Sequence, residues 1–210
     1  MYFRYGKKET SYLKKNDPIL GRAIDVIGQI RREVDNDLFS SVVHTIVSQQ
    51  ISSAAKQTVW NRLTTKLNDQ VIPVSVNQLG RDELQGCGIS FRKTDAIKEF
   101  AAKIVDGRFD LEGLTKLGDE EVVKQLSSLK GIGRWSAEML MLFAMQRPDI
   151  ISFGDLGILR GMRFLYGYEK IDRSLFNRHA EIYSPYGSVA SLYLWAMATG
   201  DYQVDLATRR

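Results

Sequence analysis

The strongest constraint on the fold is helical periodicity. Apolar residues recur at helical spacing along nearly the whole chain, and no stretch alternates apolar and polar residues as a half-buried strand would. Cap residues punctuate the pattern. Asp17-Pro18 opens a helix whose apolar face carries Ile19, Leu20, Ile24, Ile27 and Ile30. Asp37 opens the next, with Leu38, Val42, Val43 and Ile46 facing inward. Ser53 opens a long helix to about Leu67, and Ser90 opens one that runs to Asp106 and stops at Gly107. Asp110 and Asp119 cap two more. Beyond Asp155, helices are expected from Leu156 to Tyr166 (stopped by Gly167), from Asp172 to Tyr183, and from Ser184-Pro185 to about Thr199. The expectation is an all-α protein of about ten helices, more helix than globular proteins usually contain.

A chain of 210 residues can build one substantial core or two small lobes. The net charge of +4 is mildly basic, which suits a nucleic-acid partner without requiring one. A single cysteine, Cys87, excludes an internal disulfide and a four-cysteine iron–sulfur cluster, and it reads as a small buried hydrophobe. His44 and His179 lie too far apart in sequence to suggest a metal site, and both read as structural or surface residues. The first 17 residues are polar and contain no signal-like apolar run, and no stretch is long enough to span a bilayer. A cytoplasmic, monomeric protein without an organic cofactor is therefore expected.

Against this background one connection stands out: Leu129-Lys130-Gly131-Ile132-Gly133-Arg134-Trp135-Ser136-Ala137. A helix over 119–128 enters a Gly-Ile-Gly turn, and a second helix runs from Arg134 to about Gln146. Two glycines so close together signal a sharp bend or a close backbone approach. The first N–H groups of the second helix have no intrahelical partner, and that end carries partial positive charge, so it can seat a phosphate. An ordinary αα-hairpin with a glycine turn fits the same residues.

The longer pattern is more specific. Leu-x-Gly-x-Gly-x-x-Ser-Ala, followed by Ile151-Ser152-Phe153-Gly154-Asp155-Leu156-Gly157-Ile158, resembles the helix-hairpin-helix (HhH-GPD) DNA glycosylase superfamily. That family is named for the hairpin and for a Gly/Pro-rich segment ending in an essential aspartate. The resemblance is strongest over 38–62 and 117–166 and slight before residue 30. It implies two helical lobes with a cleft between them: residues 45–155 carrying the hairpin (about 117–146), and residues 1–44 with 156–210 as the other. It also implies that Asp155 is catalytic, stabilising the oxocarbenium character that develops when a base leaves its sugar and orienting or deprotonating the attacking water. By residue type alone, an aspartate before an apolar helix is an N-cap; one carboxylate can do both.

Trp135 occupies the place where relatives that also cut the DNA backbone carry a Schiff-base lysine, so the resemblance implies a monofunctional enzyme using water. Gly133-Arg134-Trp135-Ser136-Ala137 is similar to the alkylpurine glycosylases of the 3-methyladenine glycosylase II type, and the chain resembles their shorter, all-helical members. Bases such as 3-methyladenine and 7-methylguanine are cationic and suit a π-rich pocket once flipped out of the stack. Trp135 and Tyr186 would line that pocket, with Met139 and Leu156 where the best-known member has aromatics. As plain residue types, both aromatics also fit ordinary packing.

Ser48-Gln49-Gln50-Ile51-Ser52 matches a segment that faces DNA in the family. Gln50 or Ile51 would fill the gap left by the flipped nucleotide, beside Gln49; a polar helix junction is the plainer reading. Gly131, Ile132, Gly133, Ser136, Lys130 and Arg134 complete the expected DNA contacts, the last two as phosphate ligands flanking the hairpin. Lys56, Arg62, Lys66, Arg92, Lys93 and Lys98 read as solvated faces. The resemblance further implies a Na⁺ or K⁺ ion on the backbone carbonyls of Ser127, Leu129 and Ile132. The expected partner is duplex DNA containing alkylated bases. Two other readings stay open: a hairpin protein that binds lesions without catalysis, and the same fold acting on oxidised or deaminated bases.

Overall fold

The computed structural model describes residues 1–200. In these residues the chain forms α1 (Lys7–Asn16), α2 (Pro18–Ile27), α3 (Leu38–Ser48), α4 (Ser53–Lys66), α5 (Pro73–Gln78), α6 (Arg81–Gly86), α7 (Phe91–Val105), a 3₁₀ turn (Gly113–Lys116), α8 (Asp119–Ser127), α9 (Arg134–Phe143), α10 (Leu156–Tyr166), α11 (Arg173–Tyr183) and α12 (Gly187–Ala198). The only extended pairing among the described residues is an isolated bridge between Tyr2 and Glu33. The all-α class holds.

The chain divides into two compact units: residues 1–34 with those from Met141 onward, and Asp35–Leu140. These boundaries differ from the expected 44/45 and 155/156. Residues 35–44 pack in the second unit because Phe39 of α3 stacks on Phe100 of α7, ring centroids 5.0 Å apart. Residues 141–155 join the first unit because they are tied to α12: the Asp149 carboxylate accepts the Gly187 N–H at 2.9 Å, and the Ile150 N–H donates to Ser188 Oγ at 2.9 Å. Asp155 is thus grouped with the chain ends, not with the hairpin.

In the first unit, α12 is buried for most of its length, the signature of a helix that is apolar all round. It lies so close to α10 that a Cβ on Gly161 would sit 1.9 Å from the Leu194 carbonyl oxygen. Only glycine permits that approach. Asp17 caps α2 through the N–H groups of Ile19 and Leu20, and its Oδ2 accepts the Tyr166 hydroxyl at 2.6 Å. Tyr166 also meets Tyr183 at 2.6 Å, and His179 joins the cluster through Tyr183 and Tyr168. His179 is therefore a core residue of this unit.

In the second unit α7 packs against α3, α5 and α6. Lys98 closes α5 by donating to the carbonyls of Asn77 (2.5 Å) and Leu79 (2.6 Å). Several element ends differ from expectation. The helix at Asp17 stops at Gly28 (φ +73°), so Ile30 lies beyond its apolar face. Leu38 is half-buried and Phe39 takes the core position. Ser52, not Ser53, caps α4, because its extended backbone aims Oγ at the Ala55 N–H. Gly118 rather than Asp119 precedes α8, with Glu121 reaching back to the Gly118 N–H. Asp110 bonds the Gly113 N–H and so steadies a 3₁₀ turn rather than a longer helix. α9 ends at Phe143, short of Gln146 (φ +50°), and α12 starts at Gly187.

Candidate active site and nucleic-acid interface

Asp155 is the N-cap of α10, with extended backbone and its Oδ1 accepting the Ile158 N–H at 3.0 Å. It is only 7% exposed. The indole Nε1–H of Trp195, on α12, donates to the same oxygen at 2.9 Å. Burying a carboxylate is costly unless donors meet it, and here a backbone N–H and an indole N–H converge on one oxygen. The neighbourhood is shaped for this arrangement. A Cβ on Gly157 would sit 2.8 Å from Trp195 Cδ1 and 3.1 Å from Asp155 Oδ1, so a side chain there would push the indole off the carboxylate. On its other side Trp195 stacks on Phe143 (centroids 5.5 Å, interplanar angle 25°), and the Arg32 guanidinium lies over Phe143 at 4.8 Å. The N-cap and the candidate catalyst are one side chain. Leu156, next to it, is 81% exposed.

The hairpin is built differently. Gly131 has φ +85°, a conformation that only glycine adopts readily, and its carbonyl accepts Gln49 Nε2 at 2.6 Å. The Ile132 N–H closes the turn on the Leu129 carbonyl at 3.1 Å, and the Ile132 side chain is buried. Gly133 has no such backbone demand: a Cβ there would meet nothing within 4 Å. Its carbonyl accepts the Ala137 N–H at 2.9 Å as α9 begins. Open space therefore lies in front of the helix start. Lys93 steadies the end of α3 by donating to the carbonyls of Val47 (2.9 Å) and Gln49 (2.6 Å), and burial pulls its pKa down.

The flanking cations are engaged by carboxylates. Lys130 pairs with Glu99 at 2.5 Å, which raises its pKa. Arg134 forks onto Glu120 at 2.6 and 3.1 Å and also reaches Glu138 at 2.9 Å. Ser136 is buried, and Trp135 is 48% exposed at the start of α9. Met139 is half-buried. Gln49 is a strut from the α3–α4 junction to the hairpin. Gln50 beside it is exposed at φ +54°, and Ile51 is 38% exposed. A non-glycine residue in that region is strained, as at many sites held for function. Tyr186 packs edge-on against Tyr12 with centroids 5.1 Å apart.

Sequence reasoning missed Trp195 and Gly157. Trp195 lies 40 positions beyond Asp155, and nothing in helical periodicity marks an indole for a carboxylate. Gly157 offered a weak signal, as a glycine inside the first turn of a helix, where it is normally unfavourable.

The model for the HhH-GPD superfamily of base excision DNA repair proteins matches residues 43–185. DNA-3-methyladenine glycosylase 1 of Schizosaccharomyces pombe is 30% identical over 181 residues, spanning 83% of this chain and 79% of the yeast protein. A crystal structure of DNA-3-methyladenine glycosidase from Bacillus halodurans matches with a TM-score of 0.87 at 31% identity, over 96% of this chain and 95% of that one. The S. pombe 3-methyladenine DNA glycosylase Mag1, solved in complex with abasic DNA, matches with a TM-score of 0.75 at 28% identity, over 94% of this chain and all of that one.

Proposed function

Because the chain belongs to the HhH-GPD superfamily of base excision DNA repair proteins, we propose that it is a monofunctional DNA glycosylase that hydrolyses the N-glycosidic bond of alkylated purines in duplex DNA. The observation that carries this reading is the buried Asp155 at the head of α10, whose Oδ1 accepts both a backbone N–H and an indole N–H. As the C1′–N bond breaks, its electron pair leaves with the base and positive charge develops on the sugar. The Asp155 carboxylate offsets that charge and orients a water for attack at C1′; the water's proton passes to the carboxylate or to solvent. The products are the free base and an abasic site. An alkylated purine carries positive charge before cleavage, so it departs without a strong general acid.

No lysine stands where a Schiff base would need one. Trp135 fills that position, Lys130 is held protonated by Glu99, and Lys93 spends its donors on α3 carbonyls. Trp135, half-exposed at the start of α9, would offer an indole to a cationic base. By the family resemblance Tyr186, Met139 and Leu156 are further candidates for contact with the base, and Gln50, with Ile51 next, is the proposed wedge. The backbone at Gly131, Ile132 and Gly133 seats a phosphate. Na⁺ or K⁺ fits the carbonyls of Ser127, Leu129 and Ile132, which lie at and just past the C-terminus of α8, the negative end of its dipole. Buried Ser127 Oγ, with no hydrogen-bond partner, adds a further oxygen on that residue. A bound cation there would supply positive charge for a backbone phosphate.

The test is single-turnover release of 3-methyladenine and 7-methylguanine from methylated duplex DNA by wild type and Asp155→Asn. Release by wild type alone supports the assignment. Binding by both without release would make this a lesion-binding protein, and release only from oxidised or deaminated duplexes would change the substrate class.

A further inference from the structure

α10 carries more than the candidate catalytic carboxylate at its head. Ile158, Gly161, Met162, Leu165 and Tyr166 form its buried side. Leu156, Arg160, Arg163, Phe164 and Gly167 follow one another at intervals of four, three, one and three residues, so they share a single face, and all five are exposed. At 81% and 55%, Leu156 and Phe164 are among the most exposed large apolar residues of the protein. Arg160, Arg163, Phe164, Gly167, Tyr168 and Glu169 line an open groove of about 440 Å³. Its floor is rigid: Tyr168 stacks on Tyr166 at 5.5 Å and is hydrogen-bonded to His179 Nε2 at 3.1 Å.

The two arginines differ from the hairpin cations. Neither side chain makes a hydrogen bond or ion pair among the described residues, whereas Lys130 and Arg134 are bound to glutamates. A guanidinium is a forked donor that suits phosphate, and an exposed aromatic beside it offers a stacking surface. From the rise of a helix, Arg160 and Arg163 lie about 7 and 12 Å along the axis from Asp155. DNA advances about 3.4 Å per nucleotide, so that interval corresponds to roughly two to four steps along a strand.

We propose that the exposed face of α10 is a second DNA-backbone contact surface, in which Arg160 and Arg163 bind phosphates of a strand flanking the target nucleotide and Phe164 packs against its sugars or bases. This rests on the reading of the protein as DNA-acting, but not on the chemistry of Asp155. The occupant is a phosphodiester strand because the groove sets two guanidinium groups, neither ion-paired among the described residues, beside an aromatic ring, with Glu169 as the single carboxylate of the lining.

The experiment is fluorescence anisotropy of a duplex bearing a tetrahydrofuran abasic analogue, from 50 to 300 mM KCl. It compares wild type, Arg160→Gln, Arg163→Gln, the double variant, Phe164→Ala and, as a charge control, Lys8→Gln on α1. Each arginine substitution should lower the salt slope by about one and weaken binding about fivefold at 0.15 M KCl, with the double variant near thirtyfold. Phe164→Ala should weaken binding with the slope unchanged, because no counterion is displaced by a ring. Lys8→Gln should match wild type in both slope and affinity. An unaltered slope and affinity in the double variant would overturn the proposal and leave the face to a different partner, such as an acidic protein. An equal loss in Lys8→Gln would also overturn it, as a net-charge effect. Should wild type bind the duplex yet release no base, while the arginine variants still lose slope, the surface stands and the glycosylase reading falls.

Discussion

The corner around Asp155 and the hairpin around Gly131 solve opposite problems. At the corner one side chain matters, and the surrounding structure is arranged to hold it: an N–H of its own helix, an indole from α12, and a glycine that leaves room for the indole. At the hairpin the two flanking cations are paired with Glu99, Glu120 and Glu138, and open space lies in front of the backbone at Gly133. A phosphate needs several modest donors in a fixed array, which a helix start provides. A developing sugar cation needs one full negative charge at a fixed place, which only a carboxylate supplies.

The sharpest attempt to break this contrast is Asp155→Asn. The amide oxygen can still cap α10, so the melting temperature should hardly move, while base release should fall by about 10³-fold with duplex affinity kept within a few-fold. A variant that loses stability but keeps its rate would reduce Asp155 to a cap. Next in size is Gly157→Ala, whose methyl collides with Trp195; misplacing the carboxylate by about an ångström should cost roughly 10²-fold in single-turnover rate. Trp195→Phe keeps an aromatic ring but removes the donor, and should cost about tenfold, the value of one hydrogen bond to a charged acceptor.

The hairpin side of the contrast predicts that two glycines behave differently. Gly131→Ala should destabilise the protein by about 1–2 kcal/mol because φ +85° is costly for alanine, which a denaturant melt would register. Gly133→Ala should leave that melt unchanged and weaken duplex binding instead, because its methyl meets only open space where a phosphate would sit. Equal effects in both assays would erase the distinction.

The smallest effect concerns protons. Burial depresses the pKa of both His44 and His179 below 6.5, so the unfolded chain binds protons that the folded one resists. Stability from these imidazoles is complete above pH 6.5 and declines as the pH falls toward their folded values. The melting temperature should therefore drop between pH 7 and 5, and His44→Gln should flatten part of that slope. His44 meets the Trp60 ring edge-on and lies outside the Asp17–Tyr166 network, so this variant isolates the titration from the tyrosine cluster.

Much of this protein was legible before any coordinates. Helical periodicity with Asp17, Asp37, Asp155 and Asp172 as caps specified most helices, because capping and amphipathicity act within a few residues of sequence. The Gly-x-Gly turn and Asp155 were equally visible, since each depends on a residue type at a fixed spacing. Tertiary structure decided the rest. It grouped Asp155 with the chain ends, gave Lys130 and Arg134 to glutamates, brought Trp195 to the carboxylate, and left the Arg160 and Arg163 side chains without partners among the described residues. Which carboxylate finds which cation, and which indole finds which oxygen, depends on helices meeting across long stretches of sequence. Such contacts leave no local periodicity to read, because they belong to packing and not to the chain order that produces the helices.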